Sequence, residues 1–258
     1  MQLQDIVYKV PIGVIPGEGL ISRVDIGKPL GLIKMDRRVV LGCLHAAAIS
    51  SWGTVMSAFA QKDQPRRRKA LAVSIIYETH SLSTDNELGI ATGWNDGQLS
   101  EQGRADAKEL GERRVHDGID AVFASDLGRA VETVKIAFVD SRIPIYLDSR
   151  LRECNYGDWN GAPVTRIHSS RSEYIVQPYP NGHSYSDVVR GMATFLNDLA
   201  NWSGHRVLIV AHAATRWALD HLINGVPLEN LVDAPFNWQK GWQYTLAPNW
   251  SSPGAHAK

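Results

Sequence analysis

The chain has little cysteine, no excess of either charge, no internal repeat and no low-complexity tract. Its two cysteines, Cys43 and Cys154, lie far apart and match no paired metal-ligand spacing, which argues against a structural zinc site and a disulfide framework. Lysine plus arginine equal aspartate plus glutamate at 27 each, so no overall basic field exists to attract nucleic acid or an anionic membrane. Any recognition of an anion must be local. What is present is a 44% hydrophobic content over 258 residues, enough for one large domain with a real core or for two small ones.

The first seventy residues differ from the rest. Met1 to Lys34 shows neither helical nor strand periodicity and is punctuated by Pro11, Gly13, Pro16, Gly17 and Gly19, so little packed structure is expected there. Residues 39–60 carry no acidic or strongly basic side chain, and are flanked by Arg37 and Arg38 before and by Arg66, Arg67, Arg68 and Lys69 after. Three readings stay open: a poorly ordered extension left by a start codon set too far upstream, a signal or anchor, and a packed helix. Gly42, His45, Ser50 and Ser51 weaken the run as a membrane span. Read from Met35, it resembles an export signal ending at Ala58-Phe59-Ala60. A cytoplasmic location is expected, with export from Met35 as the alternative.

From Leu71 the pattern is regular. Ala72–Tyr77, Asp120–Ala124, Ile143–Leu147, Arg206–Ala211 and Trp242–Leu246 are short apolar runs suited to strands. Helical stretches alternate with them at Ser100–His116, Leu127–Phe138, Tyr185–Trp202 and Ala213–Ile223. Such alternation predicts an α/β domain over residues 71–247, a three-layer αβα sandwich with a mostly parallel central sheet, followed by a tail at 248–258. Ligands in such sheets bind beyond the carboxyl ends of the strands. His80 and His212 each fall just past a predicted strand, where a histidine is held by a rigid element and titrates near neutral pH. Taken singly, each is better explained as a hydrogen-bonded residue at the rim of the core.

Several fragments in order resemble the histidine phosphatase superfamily related to phosphoglycerate mutases. The run Thr79-His80-Ser81-Leu82-Ser83-Thr84-Asp85-Asn86 stands in place of that family's first motif, strand then Arg-His-Gly. Gly93-Trp94 and Leu99 to Arg104 resemble its loop and helix start, Ser125 to Thr133 its second arginine motif, and Leu151-Arg152-Glu153 with Gly157, Trp159 and Gly161 its proton-donor segment. Val210-Ala211-His212-Ala213 resembles the second histidine motif, with alanine where glycine usually follows.

The resemblance implies a phosphatase in which His80 becomes phosphorylated, Glu153 gives the leaving oxygen its proton, and Arg129 and His212 hold the phosphate. Ser81 and Asn86 belong to the same phosphate-binding set. No metal and no cofactor is expected. A doubly charged phosphate repels a nucleophile unless cationic donors neutralise it, and a guanidinium fork meets two of its oxygens. Glu153 can act as an acid near neutrality only if burial raises its pKa. Without the motifs, Arg129 would pair with Glu132, and Glu153 with Arg150 or Arg152.

The chain departs from the pattern at Thr79, where the family places an arginine beside the nucleophile. Arg216, one helical turn past His212, is the expected substitute, with Arg152 second. Two readings follow, an active phosphomonoesterase with a rebuilt pocket and a phosphate-binding protein that has lost most catalysis. A phosphosugar or phosphoglycerate mutase is a third, disfavoured by the short stretch from Asn155 to Ser184. Within it Arg166, His168, Arg171, Tyr174 and Tyr179 are the candidates for reading the rest of the substrate. His183 stands where the family has an acidic residue, beside a helix cap at Ser184. Trp238, Trp242 and Trp250 are expected to pack on the core or on a second copy of the chain, which would make a homodimer. The expected partner is a small phosphorylated substrate, with nucleic acid not expected and a membrane only if residues 39–60 anchor the chain.

Overall fold

The computed structural model describes residues 21–24 and 70–252. The readings of residues 39–60 and of the cleavage site at 58–60 therefore lie outside the described residues. Along the chain run β1 (Ile21–Val24), β2 (Val73–Thr79), α1 (Thr84–Glu87), β3 (Ile90–Ala91), α2 (Glu101–Arg114), β4 (Ala121–Ala124), α3 (Gly128–Ala137) and β5 (Ile145–Asp148). They are followed by β6 (Ala162–Pro163), α4 (Val164–His168), α5 (Tyr185–Leu199), β7 (Arg206–Ala211), α6 (Ala213–Asn224), α7 (Leu228–Val232) and β8 (Trp242–Leu246).

The main sheet has the order β1-β5-β4-β7-β2-β8. Its four central strands are parallel, and β8 and β1 close the two edges antiparallel. β1 is a correction, because no strand was expected in Met1 to Lys34. Four residues are too few to show a period, and Ile21–Val24 becomes a strand by pairing with Ile145–Asp148.

Side chains alternate across this sheet, and each face carries its own apolar cluster. Ile75, Tyr77, Phe123, Val207 and Ile209 pack with Met192, Phe195 and Leu196 of α5 and Trp217 of α6. Ile76, Val122, Ala124, Leu208 and Val210 point the other way, against Leu110 of α2 and Val134 of α3. Continuous apolar strands such as Val207 to Ala211, wholly buried, are the mark of a sheet covered on both faces. The fold is thus the expected αβα sandwich.

Local chemistry sets the helix ends. Ser100 caps α2 by accepting the Gly103 N–H, and Ser184 caps α5 in a reciprocal box with Asp187. Inside α2, Gly103 is required by contact. A Cβ there would stand 1.8 Å from the Leu82 carbonyl oxygen, in the loop that follows His80. Gly103→Ala is expected to lower stability by about 1–3 kcal/mol through overpacking against backbone, measured by denaturant unfolding.

Candidate active site

The strand register brings the two histidines together. Thr79 of β2 pairs with Ala211 of β7, so the next residues, His80 and His212, leave adjacent parallel strands side by side. The His80 N–H donates to the Ala211 carbonyl at 2.8 Å, and the two imidazoles lie 5.0 Å apart between centroids, close to the spacing of neighbouring strands. On the far side of β7 lies β4, and the chain leaving it enters α3, whose second residue is Arg129. Three groups distant in sequence thus converge at the carboxyl edge of three neighbouring strands.

His80 is fixed at both ring nitrogens. Its Nδ1 lies 2.7 Å from the Ser81 carbonyl, to which it donates, so Nε2 carries the lone pair and accepts from Arg129 Nε at 3.2 Å. Arg129 also donates through Nη2 to the Gly93 carbonyl at 3.0 Å and to His212 Nδ1 at 3.3 Å. This leaves Arg129 Nη1 and His212 Nε2 buried with no protein partner. Buried donors are ordinarily paired, and two of them beside a nucleophilic nitrogen form a receptor for anionic oxygens. From below, the Tyr77 hydroxyl donates to the His212 carbonyl, and Thr133 receives the Ser81 N–H.

Burial, and then the charge of Arg129, pull the His80 imidazole down to about 3. The same causes, with His80 itself, hold His212 well below its ordinary value. Both rings are therefore neutral at neutral pH. Glu153 is shifted the opposite way. Burial raises its pKa, opposed by the N–H groups of Cys154 and Ala214 and by Arg129 and Arg171. The Cys154 N–H meets Glu153 Oε1 at 2.7 Å.

The competing pairings are all taken elsewhere. Glu132 accepts from Arg104 Nε and the Leu99 N–H, which leaves Arg129 to the site. Arg150 pairs with Asp148 and Asp198, and Arg152 with Asp126, which leaves Glu153 unpaired by either. That second fact removes Arg152 as a substitute for the missing arginine. Its guanidinium lies over Trp94, outside the cavity.

Arg216 also sits elsewhere. Its Nη1 meets Asp220 Oδ2 at 2.7 Å, four residues on, and its guanidinium stacks over Trp242 of β8 at 4.9 Å. It does not line the cavity. Lying one turn past His212 placed it on the expected helix, but a carboxylate and an indole on the far side captured the side chain. Asn86 and Ser81 line the cavity, although the Asn86 amide oxygen is spent on capping α1 through Ser83.

The cavity holds about 740 Å³ and is lined by His80, Arg129 and Glu153, while His212, 1% exposed, does not itself line it but lies beside His80 and Arg129. Of the five side chains assigned to substrate reading, only His168 and Arg171 reach it. Tyr179 is buried against Tyr174 and Tyr185, and Arg166 lies over Trp159. Thr92, Tyr156, Ile167 and Phe236 line the cavity without having been singled out from the sequence, since nothing in their residue type marks them. Trp242 and Trp250 pack on the core as expected, whereas Trp238 is 58% exposed and stands at the cavity wall. Glu78, 1% exposed, is held by Arg113 and Arg114. Among the described residues no group of three or more His, Cys, Asp or Glu side chains could hold a metal ion, and no helix is long and apolar enough to cross a membrane.

Such a fold and site define an α/β protein with two buried, unpartnered donors beside an imidazole at the carboxyl edge of its sheet, an arrangement able to accept a compact anion. The chain belongs to branch 1 of the histidine phosphatase superfamily, whose family model matches residues 79–239. It is 31% identical over 178 residues to a 2,3-bisphosphoglycerate-dependent phosphoglycerate mutase of Methylobacterium radiotolerans, covering 62% of this chain and 82% of that protein. Among solved structures it is similar to Bacillus stearothermophilus YhfR, with 29% identity, a TM-score of 0.57 and coverage of 65% of this chain and 88% of that one. The mycobacterial glucosyl-3-phosphoglycerate phosphatase shares the fold at 23% identity and a TM-score of 0.55, covering 64% and 84% of the two chains. It is also 27% identical over 160 residues to a protein described as putative phosphoserine phosphatase 2 of Hydrogenobacter thermophilus, covering 59% of this chain and 79% of that one, and with the family this supports a phosphatase-type function in general terms.

Proposed function

We propose that this protein is a phosphomonoesterase acting through a phosphohistidine on His80. One observation carries the reading: His80 presents a neutral Nε2 while Arg129 Nη1 and His212 Nε2 are buried beside it without partners. His80 Nε2 attacks phosphorus as the bond to the ester oxygen breaks, and the leaving oxygen takes the proton of Glu153. Water then attacks the phosphohistidine, giving its proton to the Glu153 carboxylate, while phosphorus leaves with that oxygen and Nε2 regains its lone pair. Arg129 and His212 take the charge that develops on the three equatorial oxygens. The substrate is a small phosphorylated compound.

The reading is tested by turnover of an aryl phosphate by the purified protein, together with a base-stable, acid-labile phosphoryl label in the quenched reaction. Turnover equal to that of His80→Ala, with no label, sinks it. That outcome would favour the weakened phosphate-binding protein, a reading supported by Thr79 and by the engagement of Arg216 and Arg152 elsewhere.

The pH dependence follows from the two shifts. His80 is deprotonated above about 3, so it sets no limit in the neutral range. Glu153 must be protonated to serve the first step, and its raised pKa keeps it so to higher pH than an ordinary carboxylate. The rate of phosphorylation is expected to fall as pH rises through that pKa. In Glu153→Gln the alkaline limb is expected to vanish, and the rate with poor leaving groups to drop about 10²–10⁴-fold, measured in single-turnover pH profiles.

A further inference from the structure

Neither Trp94 nor Arg152 lines the cavity, yet the two meet beside the acid. The Trp94 indole Nε1–H donates to the Glu153 carbonyl oxygen at 2.7 Å. That oxygen belongs to the same peptide unit whose N–H, on Cys154, donates to Glu153 Oε1 at 2.7 Å. A peptide unit is planar and turns as one body. Fixing its oxygen therefore fixes the direction of its N–H, and that N–H holds the carboxyl group.

Trp94 is itself held from three directions. The Arg152 guanidinium stacks over its ring at 4.5 Å and is kept there by two bonds of 2.6 Å to Asp126. The His183 ring meets the indole edge-on at 5.0 Å between centroids. The Trp94 backbone N–H donates to Asn160 Oδ1 at 3.2 Å. One residue earlier, the Gly93 carbonyl accepts Arg129 Nη2 at 3.0 Å. Consecutive residues thus hold the cation beside the nucleophile and the peptide beside the acid. Asp126, which anchors Arg152, stands in the connection from β4 to α3 that also delivers Arg129.

We propose that Trp94, seated by Arg152, is a positioning residue for the acid: its indole N–H sets the peptide that aims the Glu153 carboxyl at the leaving oxygen. This rests on the phosphatase reading above. A displacement of about 1 Å caused by a residue away from the chemistry costs on the order of 10²-fold. Because Trp94 works through Glu153, its loss weighs on substrates whose leaving oxygen needs a proton. It weighs far less where the leaving group departs as a stable anion.

The test measures kcat/KM of the full-length protein on 2,4-dinitrophenyl phosphate and on phenyl phosphate, and takes the ratio of the first to the second. Trp94→Phe keeps an aromatic ring under Arg152 and removes only the indole donor. It is expected to raise the ratio about tenfold to a hundredfold, whatever happens to the absolute rates. In the double variant Trp94→Phe/Glu153→Gln the ratio should be no higher than in Glu153→Gln alone, since no acid is left to misplace. A ratio unchanged in Trp94→Phe would overturn the proposal, as would effects that simply multiply in the double variant. Should Trp94→Phe not fold, Arg152→Gln is read in the same way, with a rise of about threefold to tenfold expected and an unchanged ratio overturning the proposal. Absence of turnover of both esters by the wild-type protein would instead remove the phosphatase reading itself.

Discussion

Replacing His80 by alanine is expected to lower phosphomonoester turnover by about 10⁴–10⁶-fold, because a nucleophile and the groups that position it act as a unit. The phosphoryl label should disappear with it. The same substitution should alter acid stability in a direction that the histidine's burial fixes. In the folded protein His80 binds its proton near 3, against an ordinary value of 6.5, so the unfolded chain takes up the proton first as pH falls. Stability supplied by the neutral ring is whole above about 6.5 and is lost as pH drops toward 3, at up to roughly 1.4 kcal/mol per pH unit. His80→Ala removes this loss, leaving a shallower acid limb with the contribution of His212 still in place. Denaturant unfolding between pH 7 and pH 4 measures it, and a limb as steep as in the wild type would mean that His80 is not held neutral.

Arg129→Met is expected to cost about 10²–10³-fold in kcat, the usual loss for one aimed donor, here Nη1, because both N–H groups of Nη2 are given to Gly93 and His212. It should also raise the pKa of both histidines, since the Arg129 charge is the second cause of each depression. The acid limb of activity then moves toward neutrality. Arg129→Lys keeps the charge but not the fork, and should recover only part of the rate. Phosphate release or single-turnover kinetics on an aryl phosphate checks both variants. Equal rates for Met and Lys would show that charge at this position does not govern the reaction.

Much of the architecture was legible because it rests on short-range rules. Val207 to Ala211 is apolar throughout and short, which suits a strand buried on both faces. Ser100 and Ser184 announce the starts of α2 and α5 through their caps. His80 and His212 were located because each follows such a strand, and the register of β2 against β7 turned that into adjacency. The resemblance at Ser125 to Thr133 singled out Arg129, which the structure has as the second residue of α3.

What remained hidden was the choice of partner for each charged side chain. Arg216, Arg152 and Arg171 are alike as letters. Asp220 with Trp242 takes the first and Asp126 the second, while the third has no carboxylate partner among the described residues and lines the cavity. Glu153 is left for the site only because Asp148, Asp198 and Asp126 take its sequence neighbours, and its raised pKa exists only once it is buried. The sequence alone determined five of the main sheet's six strands, its ligand edge and the two histidines, since periodicity and caps are local. Tertiary structure decided which cations face the cavity, because ion pairing is a competition among groups brought together only by folding.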